Sequence, residues 1–348
     1  MSQDAASPPR LWVAWQRFWF RPQPTSSLAL FRIAFGLVAT GWVATLIPNL
    51  YAFYGPAGVL PQRSALALGE WGVLALSSSP ALLLGVFCAT LGAAVAVTLG
   101  LYTRVAAIVL WVGIMSFDQR NGLATNSGDG VLRDLAFFLA LSPAGASLSI
   151  DRLRTAPTKF WEFPERPPWA WRLIQVQISV GYLAAVWHKA HNELWTNGTA
   201  VSYALRMADI DRLTAPGFIT HSVLLVNLLT YGALATEFSL GVLIWNRAAR
   251  PWVLAAGVCL HLGIDSSIMV GFFSYTMLAA YITFIPPETA TRFILGTRTL
   301  FAQWGSRGIL WTRSALDMSA VPGGPYGRSF LPDPARFMWY PTGRRDRR

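Results

Sequence analysis

Nine ionisable side chains stand inside, or at the edge of, apolar runs of this sequence: Asp129, Arg133, Asp134, His188, Lys189, His191, Glu237, His261 and Asp265. A charge at hydrocarbon depth is costly, so such residues are rare, pair with one another and mark sites of function. Lys189 follows Trp187-His188 where an apolar run ends. Desolvation favours the neutral form of an amine, and a neutral amine near pH 7 can act as a general base. The competing role is an interfacial anchor, its ammonium reaching water beside Trp187 and Trp195. His261 and Asp265 are four residues apart and share a helix face. The carboxylate would hold one imidazole tautomer, unless the pair bonds a neighbouring helix instead. Glu237 lies deep in its run and must be protonated or paired, with Arg and His groups of other helices as candidate partners. His188 and His191, three apart, could ligate a metal only if His261 or Glu237 converged on them. Spacing alone assigns no metal site. No phosphate-cradling loop, dinucleotide fingerprint, HExxH or GxSxG is present. Cys88 and Cys259 sit in apolar runs without CxxC spacing and read as small apolar residues.

The elements that must carry these groups are helices in lipid. Hydrophobic residues make up 53% of the 348 positions and charged ones only 13%, with a mean hydropathy of +0.41. A soluble domain carries about 25% charged residues. A spanning helix needs about 20 apolar residues, and residues 28–47, 81–101, 169–188 and 221–245 meet that length. Residues 105–117 are shorter, and residues 131–141 are short and carry Arg133 and Asp134. Residues 251–286 would make a helix of roughly 50 Å, too long for one crossing, so a break is expected near Asp265–Ile268. With all of these spanning and the N-terminus inside, the inside segments hold most of the 28 Lys and Arg residues. Dropping either doubtful span puts basic loops on the wrong side. The fold class is therefore an all-α polytopic membrane protein of about eight transmembrane helices, both termini cytoplasmic. The net charge of +11 then reports orientation, and no nucleic-acid partner is called for.

Residues 1–27 form a cytoplasmic or interfacial segment with no cleavable signal, and residues 28–287 the transmembrane domain. The stretch from Leu11 to Phe20 sets Trp12, Trp15, Phe18 and Trp19 among Arg10, Arg17 and Arg21, the composition of a helix lying among lipid headgroups. Residues 288–348 form a basic cytoplasmic tail, with Trp304 and Trp311 at helical spacing before a Gly/Pro-rich end. Three outer loops follow from the parity, at 48–80, 118–130 and 189–220, the last holding a glycosylation sequon at Asn197-Gly198-Thr199. Paired halves with matched broken helices, the mark of inverted-repeat transporters, are absent.

Four clusters, in order and at matching spacing, resemble one family. The first is Leu28-Ala29-Leu30-Phe31-Arg32-Ile33 with Gly36, followed by Tyr54-Gly55-Pro56-Ala57-Gly58-Val59-Leu60-Pro61. The second is Asn126-Ser127-Gly128-Asp129, then Ser142-Pro143 and Ser149-Ile150-Asp151. The third is Lys189 with Trp195 and Gly198-Thr199-Ala200; the fourth is Glu237, His261 and Gly271-Phe272-Phe273-Ser274-Tyr275. Together they resemble the HTTM family, the membrane domain shared with vitamin K-dependent γ-carboxylases. The resemblance implies an outward-facing cavity in which reduced vitamin K, or another quinol, meets a lysine base at Lys189. In the carboxylases oxygen drives epoxidation of that quinol, and the strong base formed deprotonates glutamate for carboxylation. Glu237 and His261 would complete the catalytic pocket, while Arg32, Trp195 and Asp129 would support the cofactor.

Two departures are visible. Gly128, with Asp129 beside it, stands where animal carboxylases carry a catalytic histidine, and only residues 288–348 follow where those enzymes have a large propeptide-binding domain. The resemblance thus leaves two functions open. One is an enzyme of carboxylase/epoxidase-like chemistry. The other is a non-catalytic membrane partner, in a bacterial inner membrane, for the maturation or export of a secreted peptide or companion protein.

Overall fold

The computed structural model describes residues 9–60 and 72–299. In lipid every backbone N–H must find its acceptor within the protein, so apolar runs become helices. Among the described residues nine longer helices carry the architecture: α1 (Arg10–Phe20), α2 (Ser26–Thr45), α3 (Pro80–Leu99), α4 (Thr103–Arg120), α5 (Ser127–Leu141), α6 (Trp169–Ala190), α7 (Val223–Val242), α8 (Arg250–Ser267) and α9 (Phe273–Tyr281). By length and composition three described stretches can cross a membrane, Ser26–Tyr54, Pro80–Leu99 and Val223–Trp245. Helices also stand at each of the other predicted positions. The 105–117 and 131–141 stretches are longer than their apolar cores suggested, because polar turns at both ends of α4 and at the start of α5 continue the helix. The long C-terminal run does break, with Ile268 extended and Gly271 left-handed at φ 61°. Residues 287–299 are helical. The expectations for Trp304, Trp311 and the end of the tail lie outside the described residues, as do 61–71 of the first outer loop.

Helices α2 to α5 form one half of the core, around Phe31, Phe35, Leu110, Ile114, Phe117, Leu132 and Leu135. Small residues let the backbones approach, as is usual where lipid supplies no hydrophobic drive between helices. A Cβ on Gly36 would stand 2.7 Å from the Thr98 backbone, and one on Gly113 would strike the Thr90 side chain. Helix α7 packs along α6 and then α8, and α9 returns against α2, α5 and α8.

At the end of the bundle where α2 begins, polar groups tie the turns together. Ser26 and Ser27 donate to the Pro287 and Ile285 carbonyls at 2.8 and 2.7 Å. A two-residue ladder pairs Gln23–Pro24 with Glu165–Arg166. Arg32, fully buried, donates through Nη1 to the carbonyls of Ala144 and Ser147 and through Nη2 to Leu148. Asp151 accepts the Tyr102 and Thr103 N–H groups and the Thr103 hydroxyl, at 2.8, 2.9 and 2.7 Å, and so caps α4.

Candidate functional site

The other half of the molecule holds most of the groups singled out for chemistry. Lys189 lies in the last turn of α6, and its Nζ donates to Glu237 Oε1 of α7. The same ammonium sits 4.4 Å from the centroid of the Trp195 ring, a cation–π contact that is strongest when partly desolvated. The Lys189 side chain is 24% exposed and that of Glu237 only 9%. Glu237 therefore meets its partner from inside the bundle, and its Oε2 is buried with no hydrogen-bond partner.

Seven residues before Lys189, about 10 Å down the axis of α6, Tyr182 presents its hydroxyl to two neighbours. His261 Nε2 of α8 lies 2.7 Å away, and the Tyr281 hydroxyl at the end of α9 bonds to it as well. His261 is 1% exposed, and its Nδ1 is buried without a partner. Lys189 and His261 are within electrostatic reach of each other, as are Glu237 and both tyrosines. A polar column thus descends from Lys189 and Trp195, through Glu237, to the Tyr182–His261–Tyr281 cluster among α6, α7, α8 and α9.

The pairing expected between His261 and Asp265 does not form. One turn nearer the end of α8, Asp265 instead pairs with Arg212 at 3.3 Å and accepts the Tyr275 hydroxyl at 2.7 Å. Arg212 is brought there because residues 210–212 are stitched to the α8–α9 break, with Met269 N–H bonding the Ile210 carbonyl and Arg212 N–H that of Ser267. A shared face was the right geometry, but the stronger partner came from a loop.

Two of the expected cofactor-supporting residues are elsewhere. Arg32 clamps the opposite end of the bundle, with only its Nε lacking a partner. Asp129 closes the capping box of α5, accepting the Asn126 N–H, while its other oxygen accepts the Trp42 indole N–H at 2.7 Å. Among the described residues no hydrogen bond or ion pair joins either one to Lys189, Glu237 or His261. The reason is local. A buried arginine surrounded by loop carbonyls, and an acid at the third position of a helix, are both consumed by backbone groups that need them.

His188 is exposed, and His191 donates Nδ1–H to the Trp187 carbonyl, so neither turns toward His261. Among the described residues no cluster of three metal-ligating side chains exists. Arg133 bridges Asp118 and Asp134 at 3.3 and 3.4 Å, and Gln177 of α6 donates to Asp134, making a separate polar contact between α4, α5 and α6.

Tyr182 and Tyr281 escaped the sequence reading, which ranked charges and imidazoles only. Their signal was available, since a tyrosine inside an apolar run brings a hydroxyl that must find a partner. Gly128 also acquires meaning. A Cβ there would lie 2.8 Å from Phe273 Cα, and the Phe273 ring stands edge-on to His261 with centroids 5.3 Å apart. Phe273 therefore takes the space between position 128 and the imidazole.

Among curated proteins and among solved structures nothing matches this chain. The HTTM domain family matches it over residues 20–288, which spans α2 to α9 and every residue of the polar column. With its apolar helices and that match over most of its length, the chain belongs to the HTTM family and is an integral membrane protein.

Proposed function

We propose that this protein is a membrane enzyme that binds a quinol-like ligand beside Trp195 and uses the Lys189–Glu237 pair as its base. The observation that carries the reading is the pair itself, extended by two buried polar atoms without partners, Glu237 Oε2 and His261 Nδ1. A hydroxyl-bearing ring matches the chemistry of that set, because a carboxylate oxygen and an imidazole nitrogen can each bond a hydroxyl and an indole can cover a ring. Bound there, a quinol would supply reducing electrons and an acidic hydroxyl.

The chain's own part is proton handling. An amine that has given its proton to a neighbouring carboxylate is a general base, and Glu237 Oε1 is the carboxylate within reach of Nζ. The neutral amine at Nζ then accepts a proton from the ligand, and the net charge of the pair changes only at that step. Tyr182 holds His261 through Nε2, which fixes what Nδ1 offers to the ligand. Because Gly128 carries no side chain and Phe273 fills its neighbourhood, the reading is of quinol-dependent base chemistry, with carboxylation left out.

The reading includes eight spans formed by α2 to α9, with both termini on the cytoplasmic side of a bacterial inner membrane. The support is the basic bias of the segments at the Arg32 end. A second reading, a non-catalytic partner for a secreted peptide or companion protein, is favoured by one observation. The segment after Trp195 exposes Tyr203, Met207, Leu213 and Phe218, a patch of the kind that marks a contact surface.

The deciding experiment is native mass spectrometry of the protein in mild detergent, with extraction of the same sample for quinones. A stoichiometric quinone that is lost in Lys189→Ala and in His261→Ala is the expected result. A retained peptide with no quinone would replace the enzyme reading with the second one.

A further inference from the structure

At the end of the bundle away from the polar column, α1 lies across the start of α6. Phe18 of α1 packs on Trp245, with ring centroids 5.6 Å apart, and takes the Arg172 guanidinium over its ring at 4.8 Å. Beside this contact is a cavity of about 620 Å³, within the roughly 300–1,000 Å³ of sites that hold small organic ligands. Its wall includes five arginines, Arg10, Arg17, Arg21, Arg172 and Arg247, and no carboxylate. Among the described residues none of the five is in an ion pair. Arg172 gives Nη1 to Gln175 at 2.8 Å, but its Nε is buried with no partner. Like charges gathered round a cavity repel one another, and that cost is removed when an anion sits among them.

The two faces of α1 say which anion. Arg10, Ala14, Arg17 and Arg21 recur at helical spacing along the cavity side. Leu11, Trp12, Trp15 and Phe20 are all more than half exposed. A helix with apolar residues on one side and arginines on the other lies at the boundary of headgroups and acyl chains. The cavity is then held at the depth of lipid phosphates. Guanidinium groups are the side chains best matched to phosphate oxygens, which they bind bidentately.

We propose that this cavity is a binding site for the phosphate headgroup of an anionic phospholipid, with Arg172 and Arg247 as its inner ligands and α1 as its outer wall. The lipid would fasten α1 to the ends of α6 and α7. The site is independent of the quinol-like ligand and of any catalysis.

The test is native mass spectrometry of the full chain in mild detergent, titrated separately with phosphatidylglycerol, phosphatidylcholine and inorganic phosphate. Phosphatidylglycerol should bind at least about tenfold more tightly than phosphatidylcholine. Arg247→Gln should weaken it by about tenfold, the loss expected for one charge-assisted contact, and leave phosphatidylcholine binding unchanged. Arg172→Gln should do the same, and Arg247→Gln, which keeps the Arg172–Phe18 contact, covers the case in which that variant fails to fold. Equal binding of the two lipids, or phosphatidylglycerol binding untouched by Arg247→Gln, overturns the proposal. Inorganic phosphate that matches phosphatidylglycerol in affinity also overturns it, since the site would then serve a soluble anion.

Discussion

Arg32 and Lys189 are both basic residues drawn into an apolar bundle, and the protein treats them in opposite ways. Arg32 is fully buried and spends its Nη groups on three backbone carbonyls that do not titrate. Lys189 keeps a quarter of its side chain exposed, faces an indole, and donates to a carboxylate whose second oxygen has no partner. The first arrangement is a clamp, because guanidinium stays protonated and its partners are fixed dipoles. The second sets an acid and a base side by side and leaves one carboxylate oxygen without a protein partner. Family resemblance had put both residues in one cofactor site. The contrast shows that a cation drawn into the bundle is either used up by backbone carbonyls or left facing other side chains, according to which neighbours reach it.

Replacing Arg32 with methionine should have the largest effect. Three buried carbonyls would lose their donors, at about 1–3 kcal/mol for each group left unsatisfied, so a loss of about 3 kcal/mol or more is expected. Size-exclusion chromatography and thermal unfolding in detergent would register it as loss of folded protein. A variant as stable as the parent would remove the clamp from the comparison.

Glu237→Leu comes next, because it strands the Lys189 ammonium. Breaking a fully buried pair costs roughly 3–5 kcal/mol, and the partial exposure of Lys189 brings the expectation down to about 2 kcal/mol. The double variant Lys189→Met/Glu237→Leu should recover most of that stability while losing any bound ligand. If the double variant is no better than the single one, the pair is not the unit described here.

Tyr182→Phe should cost about 1 kcal/mol, one net hydrogen bond, since the hydroxyl joins His261 to Tyr281. It sharpens the contrast because ligand affinity should fall with little change in the Arg32 end, a pattern that hydrogen exchange resolves helix by helix.

The smallest effect belongs to Asp151. Burial pushes its carboxyl up, but hydrogen bonds from Thr103 and Tyr102 and the charge of Arg154 outweigh burial and hold it below the ordinary carboxylate value. A depressed folded-state value means that its contribution is complete above the ordinary value near 3.8. The contribution is lost as pH falls through the lower one. Unfolding midpoints should therefore hold steady on acidification to about pH 4, as far as this group is concerned. Asp151→Asn should cost under about 1 kcal/mol at pH 7, and that cost should shrink as pH falls below the ordinary value near 3.8.

The helix positions were legible because apolar runs and lipid leave the backbone few alternatives. A break in the run 251–286 was readable from its length, as 36 residues are too many for one crossing, and it falls near Asp265–Ile268 as expected. Lys189 and Glu237 could be named from type and depth, Trp195 came from the family resemblance, and Lys189 touches both. Tyr182 and Tyr281 were missed because a hydroxyl carries no charge to flag it. For His261 and Asp265 the second alternative holds, each bonding a neighbouring element, because a four-residue spacing cannot say that Arg212, 53 residues away, reaches Asp265.

The sequence by itself determined that the chain is helical, that it belongs in lipid, and which ionisable groups stand in or beside its apolar runs. Those follow from composition and from the obligation to satisfy every backbone N–H, neither of which needs a neighbour. Only the tertiary structure decided which cations are used up and which are left open. Hydrogen-bond capacity is finite, and the backbone carbonyls at 144–148, the Trp42 indole and the Arg212 side chain claim their partners through contacts between distant segments. What remains unclaimed at Glu237 and His261 is a property of that packing.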